Sequence, residues 1–400
     1  MSGFDAALTA RARPPEPLAR IGPSGREARI DVDFSLAIHN RTGKYFIGRD
    51  ILAVIGERLG SVYYGSVPFN AASTGLLGRA LGRIQLWQVR GQAEGARWRI
   101  PRRPRRLRGR PLLHLDPFTV PTAKLRRGDA VICHDVGPLT HPELFDRRVG
   151  PIYRAIYREI AAVGPHLVFV SEASRAAFDA LFPEAQPASV RVIYPALRGE
   201  MRAGGRAPAG LDVGPFLLCV GSLGARKNQA RCIEAFARSG LATSGMRFVL
   251  CGGPEPGFER VRQAAEATRG VVLLPYVSDA DRAWLFRHAV GFVLASLLEG
   301  FGIPVAEAIA AGLIPLVSRG GVLEEVAGPG ALTADPLDPG AIAAGMRALC
   351  AMREDERRLR QAQLAAAVAR FRPERFAREW ERALAAIAAE AAKPAQVRAQ

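Results

Sequence analysis

Two glutamates, Glu299 and Glu307, are separated by seven residues in E-G-F-G-I-P-V-A-E, with a glycine-rich turn and a proline between them. The run before them, Val290 to Leu298, is apolar, so the segment reads as a buried strand that opens into a ligand-binding loop. Pro304 has the fixed φ and missing N–H that suit a first helical position, and Gly312 supplies a stop. The spacing predicts a helix from Pro304, with Glu299 on its approach loop and Glu307 one turn in. The amides of Phe301, Gly302 and Ile303 then lie at a helix N-terminus, where the macrodipole favours an anion such as a phosphate. Carboxylates on either side of that anion could hold a sugar and a ribose. Equally, a capping glutamate and an early-turn glutamate would complement the dipole with no ligand at all.

Further chemistry is written at the ends of other apolar runs. After F-L-L-C-V comes G-S-L-G-A-R-K-N, residues 221 to 228. Gly221 lets the backbone approach a diphosphate, and Arg226 and Lys227 supply charge to neutralise it. Cations at a helix start oppose the dipole, which disfavours a merely structural role for this pair. V-L-C-G-G-P ends in Gly252 and Gly253, which serve a ligand or a simple turn equally well. In the first half, A-V-I-C runs into H-D-V-G-P-L-T-H-P-E. His134, at a strand's carboxyl end, can donate to a sugar hydroxyl or to charge developing in a transition state, or it is a satisfied buried histidine. Asp279 with Asp281, and Asp31 with Asp33, imitate a metal-binding D-x-D, yet the first pair reads as a helix cap and the second as the opening of a strand. With no other carboxylate or histidine cluster, a metal-independent reaction is expected.

These residues need a scaffold, and the rest of the chain has the rhythm of one. Short apolar runs alternate with amphipathic stretches from residue 30 onward, the pattern of α/β parallel sheets. Strands are expected at 33–38, 61–64, 111–115, 130–133, 167–170 and 190–194, then at 216–220, 247–251, 271–274, 291–295 and 314–317. Helices are expected at 46–59, 150–163 and 172–182. The glycine- and proline-dense stretch 203–214 reads as a linker. The division is a disordered lead-in (1–29), a first domain (30–202), the linker, a second domain (215–352) and C-terminal helices (353–400) with Phe371, Phe376 and Trp380 as packing anchors. Ligands of such sheets bind beyond the carboxyl ends of the strands, where every motif above falls.

Bulk composition narrows the class. Four hundred residues at 48% hydrophobic content make a globular chain of about two domains. No signal-peptide pattern and no spanning run of apolar residues is visible, which predicts a cytoplasmic protein. Five cysteines without C-x-x-C spacing read as reduced core residues. The net charge of +17 is uneven, with 30 Lys+Arg against 18 Asp+Glu in residues 1–200. Eight arginines fall in 97–110, a stretch that could contact an anionic membrane surface or nucleic acid, or be a solvated loop. The chain has only four lysines, so Lys44 and Lys227 merit attention.

S-L-L-E-G-F-G-I-P-V-A-E-A-I-A-A-G (296–312) with P-L-V-S-R-G-G-V-L-E-E-V-A-G (315–328) closely resembles the donor-site signature of glycosyltransferase family 4. Those are retaining enzymes of the GT-B fold, two Rossmann-like doubly wound parallel-sheet domains facing a central cleft. The resemblance is strong over 215–345, fair over 130–195 and weak before 125. It implies that Lys227, with Arg226 beside it, stabilises the leaving pyrophosphate, that Glu307 holds the ribose and that Glu299 faces the sugar. Ser222 stands where relatives often carry arginine. Gly252 and Gly253 would pack near the nucleotide, and the backbone of Tyr276 and Val277 would meet the base. His134 would lie near the donor sugar, with Asp135 supporting it or facing the acceptor, and Ser171 and Arg175 at the cleft rim. Gly43 and Lys44 occupy the place of an acceptor-side loop whose usual spacing this chain does not keep. The C-terminal helices would brace the first domain. The expected function is transfer of a hexose, mannose first, from a nucleotide diphosphate sugar to a glycan or lipid-linked acceptor, with no cofactor and no nucleic-acid partner. A GT-B epimerase or phosphorylase, or a basic membrane- or nucleic-acid-binding protein on the same scaffold, is the alternative.

Overall fold

The computed structural model describes residues 29–35, 43–65, 67–71, 87, 91, 109–197, 207–208, 211, 214–274 and 277–392. The expected lead-in up to residue 28, the arginines of 97–108, most of the stretch 203–214, Tyr276 and Lys393 lie outside these residues.

Two sheets organise the chain. The first contains β1 (Ile30–Asp33), β2 (Leu59–Tyr64), β3 (Val67–Phe69), β4 (Leu112–His114), β5 (Ala130–Cys133), β6 (His166–Phe169) and β7 (Ser189–Val192), in the order β3-β2-β1-β4-β5-β6-β7. Its pairings are parallel except for β2 with β3. The second contains β8 (Phe216–Val220), β9 (Arg247–Cys251), β10 (Val271–Leu274), β11 (Gly291–Leu294), β12 (Pro315–Ser318) and β13 (Leu332–Ala334), all parallel, in the order β10-β9-β8-β11-β12-β13. Central strands such as Phe216–Val220 and Gly291–Leu294 are buried at every residue, which is why they read as unbroken apolar runs rather than alternating ones. In both sheets the strand order reverses beside the first strand, between β1 and β4 and between β8 and β11. Crevices at such reversals, beyond the carboxyl ends of the strands, are where open α/β sheets bind ligands.

Several expectations shift by a few residues for identifiable reasons. β1 covers Ile30–Asp33 rather than beginning at residue 33, so Asp31 and Asp33 lie within the strand instead of opening it. Both are buried: Asp31 accepts the Ser61 amide at 2.9 Å, and Asp33 accepts the Ser35 amide at 3.0 Å and the Thr122 hydroxyl at 3.2 Å. The first helix begins at Gly43, three residues before the expected start, which places Gly43 and Lys44 in a helical turn rather than a loop.

The last helix, Pro373–Ala392, buries Phe376, Trp380, Ala383, Leu384 and Ile387, a stripe at helical spacing. It packs against helix Gly43–Ile55 of the first sheet's layer. Truncating Trp380, which is 1% exposed, would cost about 3–5 kcal/mol through the cavity left behind. Four of the five cysteines are buried and none forms a disulfide. No helix among the described residues is long and apolar enough to cross a membrane.

Candidate active site

At the reversal of the second sheet, the loop after β8 delivers Arg226 and Lys227, and the loop after β11 delivers Ser296 and Glu299. Lys227 Nζ and Glu299 Oε1 form an ion pair whose side chains are only 8% and 6% exposed. Ser296 Oγ donates to the same carboxylate at 2.9 Å, and Arg226 Nη1 lies 3.7 Å from its second oxygen. Burial pushes the Glu299 carboxyl up, but Lys227 and Arg226 outweigh it and hold the group below its usual range, so it stays ionised. Two residues expected to face different parts of a donor therefore meet each other first.

The surrounding backbone explains their placement. Asn228 adopts φ 61°, and its side-chain amide donates to Ala295 O at 2.9 Å and Pro336 O at 2.7 Å, tying the R-K-N turn to the end of β11. Gly221 lies beside the Lys227 stem and adopts φ 148°, a backbone conformation that residues with a side chain rarely take. A Cβ on Gly252 would collide with the Gly221 carbonyl, so these two glycines let the ends of β8 and β9 touch. Gly253 faces open space beside them. Ser222 Oγ donates to Glu255 at 2.7 Å, and Glu255 also lies 3.5 Å from Arg226. Sequence reading assigned Glu255 no role.

Helix Ile303–Ala310 starts one residue before the expected Pro304, after Gly302 at φ 92°, a left-handed conformation that glycine adopts freely. The Phe301 side chain is 6% exposed and packs against Tyr194 and Phe371, with ring centroids at 6.0 and 5.0 Å. Its ring thus anchors the loop to neighbouring layers, while its amide belongs to the helix N-terminus. Glu307 receives two hydrogen bonds from Arg282 Nη1, at 3.0 and 2.9 Å. Nothing in the spacing of S-D-A-D-R singled out that arginine. Val277 is half-buried and precedes helix Asp279–His288, whose N-cap is Ser278: its Oγ accepts the Asp281 amide at 3.1 Å. Asp279 and Asp281 occupy the first turn, so the cap is the serine before them. Among the described residues no group of three or more His, Cys, Asp or Glu gathers as metal ligands.

The first sheet supplies the facing wall. His134 follows β5 and is 7% exposed; its Nε2 donates to Leu115 O at 2.8 Å. Burial and the neighbouring Lys44 depress its pKa, so the ring is neutral at pH 7 and offers Nδ1 as an acceptor. The expected donation from this histidine to a sugar is thus redirected, because the Nε2 proton is already engaged. Asp135 accepts the Gly137 amide at 2.9 Å, and its charge helps raise the pKa of Arg226 together with the nearer Glu299 and Glu255, against the effect of burial. Lys44 reaches Asp116 at 2.5 Å. Asp116 lies just after β4, also accepts the Phe118 amide at 2.9 Å, and went unnoticed in the sequence.

Direct contacts join the two walls. A Cβ on Gly300 would lie 2.6 Å from His134 O, and one on Gly43 would lie 2.9 Å from Ile303 Cδ1. Ser171 Oγ donates to Gly300 O at 2.8 Å. The Glu325 carboxylate caps helix Glu172–Leu181 from across the cleft, accepting the Glu172 and Ala173 amides at 2.8 and 2.9 Å, where the helix dipole favours an anion. His134 and Asp135 therefore stand next to the Glu299 loop, and Gly43 stands next to the start of helix Ile303–Ala310. Arg175 pairs instead with Glu172 and Asp179 on its own helix.

Comparison with known proteins bears on the fold and on the second half of the chain. Residues 208–365 match the family model described as Glycosyl transferases group 1. The chain is 34% identical over 134 residues to O-antigen chain mannosyltransferase B of Escherichia coli, a match covering 32% of this chain and 35% of that protein. It thus spans about a third of that curated relative's length. Among solved structures, the trehalose-6-phosphate synthase OtsA superposes with a TM-score of 0.63 at 15% identity, covering 90% of this chain and 99% of that one. A UDP-forming α,α-trehalose-phosphate synthase from Burkholderia xenovorans, in complex with glucose-6-phosphate, gives 0.57 at 15% identity over 77% and 80% of the two chains. At such identity these structures speak for the fold. Residues 208–365 are thus similar to the glycosyl transferases group 1 model, and the chain as a whole has the GT-B fold of the structures it superposes on.

Proposed function

We propose that this protein is a retaining glycosyltransferase that moves a hexose, mannose as the first choice, from a nucleotide diphosphate sugar to an acceptor hydroxyl, without a metal. The observation that carries this reading is the meeting of Lys227, Arg226 and Glu299 at the reversal of the second sheet, beside the N-terminus of helix Ile303–Ala310. When the bond from the anomeric carbon to the β-phosphate oxygen breaks, its electron pair leaves with the phosphate, the acceptor oxygen bonds to the anomeric carbon on the same face, and the hydroxyl proton passes to the departing phosphate oxygen. Lys227, Arg226 and the amides of 301–303 supply positive charge where that negative charge develops, in a site that excludes much of the water. Glu299 counterbalances Lys227 until the donor arrives and then faces the sugar. Glu307, aimed by Arg282, takes the ribose hydroxyls, and the acceptor enters from the first sheet's wall, where neutral His134 offers a lone pair. The mannosyltransferase relative supports mannose, and the UDP-forming neighbour supports a nucleotide diphosphate as the leaving group. A role in polysaccharide or lipid-linked oligosaccharide assembly in the cytoplasm, with residues 97–110 against an anionic membrane face, belongs to the same proposal.

Thermal unfolding with a panel of GDP- and UDP-sugars tests it. A donor present at a hundred times its dissociation constant adds about 2.7 kcal/mol of stability, so at least one sugar nucleotide should raise the melting temperature clearly. Glu307→Ala should remove most of that protection and Arg282→Met a large part. If no nucleotide sugar protects, the reading is wrong. Undiminished protection of Glu307→Ala would mean that the donor lies elsewhere.

A further inference from the structure

The reversal point of the first sheet carries its own lysine-carboxylate pair. Lys44 comes from the helix after β1 and Asp116 from the turn after β4, the two strands between which the order reverses. In the second sheet Lys227 follows β8 and Glu299 follows β11, the corresponding strands. Lys44 Nζ and Asp116 Oδ2 are 2.5 Å apart, with the lysine side chain 44% exposed and the carboxylate 6%. His134 stands next in the same crevice, its Nε2 proton committed to Leu115 O, and Gly43 abuts Ile303 of the donor-side helix. The pair therefore sits at a ligand-binding position of the fold, its lysine open to solvent, beside the proposed donor site.

Building on the glycosyltransferase reading, we infer that Lys44 and Asp116 form the recognition site for an uncharged acceptor sugar, gripping neighbouring hydroxyls of its ring. An ammonium only donates hydrogen bonds and a carboxylate only accepts them, so side by side they match a vicinal diol, one hydroxyl giving its proton and the other receiving one. His134 Nδ1 adds a second acceptor for the hydroxyl that is to be glycosylated. The charges argue against a phosphorylated acceptor. Among the described residues the Lys44 charge is cancelled by Asp116, His134 is neutral at pH 7, and Asp135 adds a further carboxylate near Lys44. A phosphate monoester carrying about −1.5 to −2 charge would meet the Asp116 carboxylate here and a Lys44 ammonium that is already paired. Arg226, across the cleft, is occupied by Glu299 and Glu255.

The experiment uses the full chain and the nucleotide sugar that protects it best. Transfer is measured to octyl α-mannoside and octyl β-glucoside, and to mannose 6-phosphate and glucose 6-phosphate. The neutral glycosides should accept, and the 6-phosphates should react no faster than water. Asp116→Asn and Lys44→Met should each raise the acceptor KM by about tenfold or more, the loss of one hydrogen bond to a charged group, while donor KM stays within about twofold. Asp116→Asn, which frees the Lys44 charge, should also improve use of the 6-phosphates several-fold. Should Asp116→Asn fail to melt cooperatively, Lys44→Met, altered at the more exposed partner, decides. Preference of the wild type for a 6-phosphate, transfer to neither neutral glycoside, or an acceptor KM unchanged in the variants overturns the inference while leaving donor binding intact. Absence of protection by every nucleotide sugar removes the glycosyltransferase reading and this inference with it.

Discussion

The two walls of the cleft are variations on one arrangement, a lysine after the first strand of a doubly wound sheet facing a carboxylate after the strand across its reversal point. On the donor side the pair is sealed: Lys227 and Glu299 are 8% and 6% exposed, and Ser296 and Arg226 complete the carboxylate's contacts. On the acceptor side Lys44 remains 44% exposed while Asp116 is held by a backbone amide. A buried ion pair is expensive to break because the partner left behind is a charge without water. A pair whose lysine stands in solvent costs less to rearrange, because water takes over the contacts of the cation. The second sheet's wall is thus preorganised for one charge distribution, and the first sheet's wall, on the acceptor-site inference, trades its ion pair for contacts with a sugar.

The largest expected effect breaks the donor pair. Lys227→Ala strands Glu299 in a buried site and should lower folding stability by about 3–5 kcal/mol in denaturant unfolding. Transfer should fall by about 10²–10³-fold, the loss of one group that stabilises developing charge. The double variant Lys227→Met with Glu299→Gln should regain most of the stability and none of the rate, since the stranded charge is gone but the leaving group remains unassisted. A single variant as stable as the wild type would show that the pair is not desolvated in solution and would erase the contrast between the walls.

That contrast also marks what could be read from residues alone. The donor wall is written in two short segments, 221–228 and 299–307, whose glycines, cations and proline each imply a conformation. Lys227, Glu299 and Glu307 stood out because their chemistry and their turns lie in the same few residues. Asp116 did not, because L-H-L-D-P-F reads as an ordinary strand end and helix cap. Its meeting with Lys44 depends on β4 lying beside β1 with β2 and β3 set outside them, a strand order that no local pattern encodes. Arg282 was hidden differently, as one arginine on a charged helix in a chain of +17 net charge. β3 and β13, three residues each, are too short to show a period. β1 was displaced because Asp31 and Asp33 look like polar boundaries, although buried hydrogen bonds make them strand residues.

Acid should separate the walls as well. His134 is depressed below its ordinary 6.5 by burial and Lys44, and Lys44 and Arg226 or Lys227 hold Asp116 and Glu299 below their ordinary 3.8 and 4.5 despite burial. In each case the unfolded chain binds the proton more readily, so the stabilising contribution is complete above the unfolded pKa and is lost as pH falls through the depressed folded value. For His134 that loss starts near 6.5, whereas for the carboxylates it starts only near 4.5 and below. His134→Gln, whose amide can still donate to Leu115 O, should flatten the melting temperature between about pH 7 and 5 and leave the steeper fall below that range unchanged. Parallel curves for variant and wild type across this window would show that the ring is solvated and titrates normally, which would remove the acceptor wall's neutrality.

The smallest effect is the most discriminating for the shape of the cleft. Lys44 lies within 2.5 Å of Asp116, the same kind of contact that Lys227 makes, and distance alone would assign the two pairs equal weight. Exposure decides otherwise: water and salt screen the Lys44 ammonium, and Asp116 keeps the Phe118 amide when the lysine is removed. Lys44→Met should therefore cost less than Lys227→Ala, about 1–3 kcal/mol for a buried carboxylate left with one amide partner, and raising ionic strength to about 1 M, where the Debye length is near 3 Å, should shrink that difference. The Lys227→Ala deficit should persist at the same salt, because ions do not reach a desolvated pair. Unfolding both variants at low and high salt thus weighs one lysine against the other, and equal, equally salt-sensitive losses would mean that the cleft opens far enough in solution to wet both pairs alike.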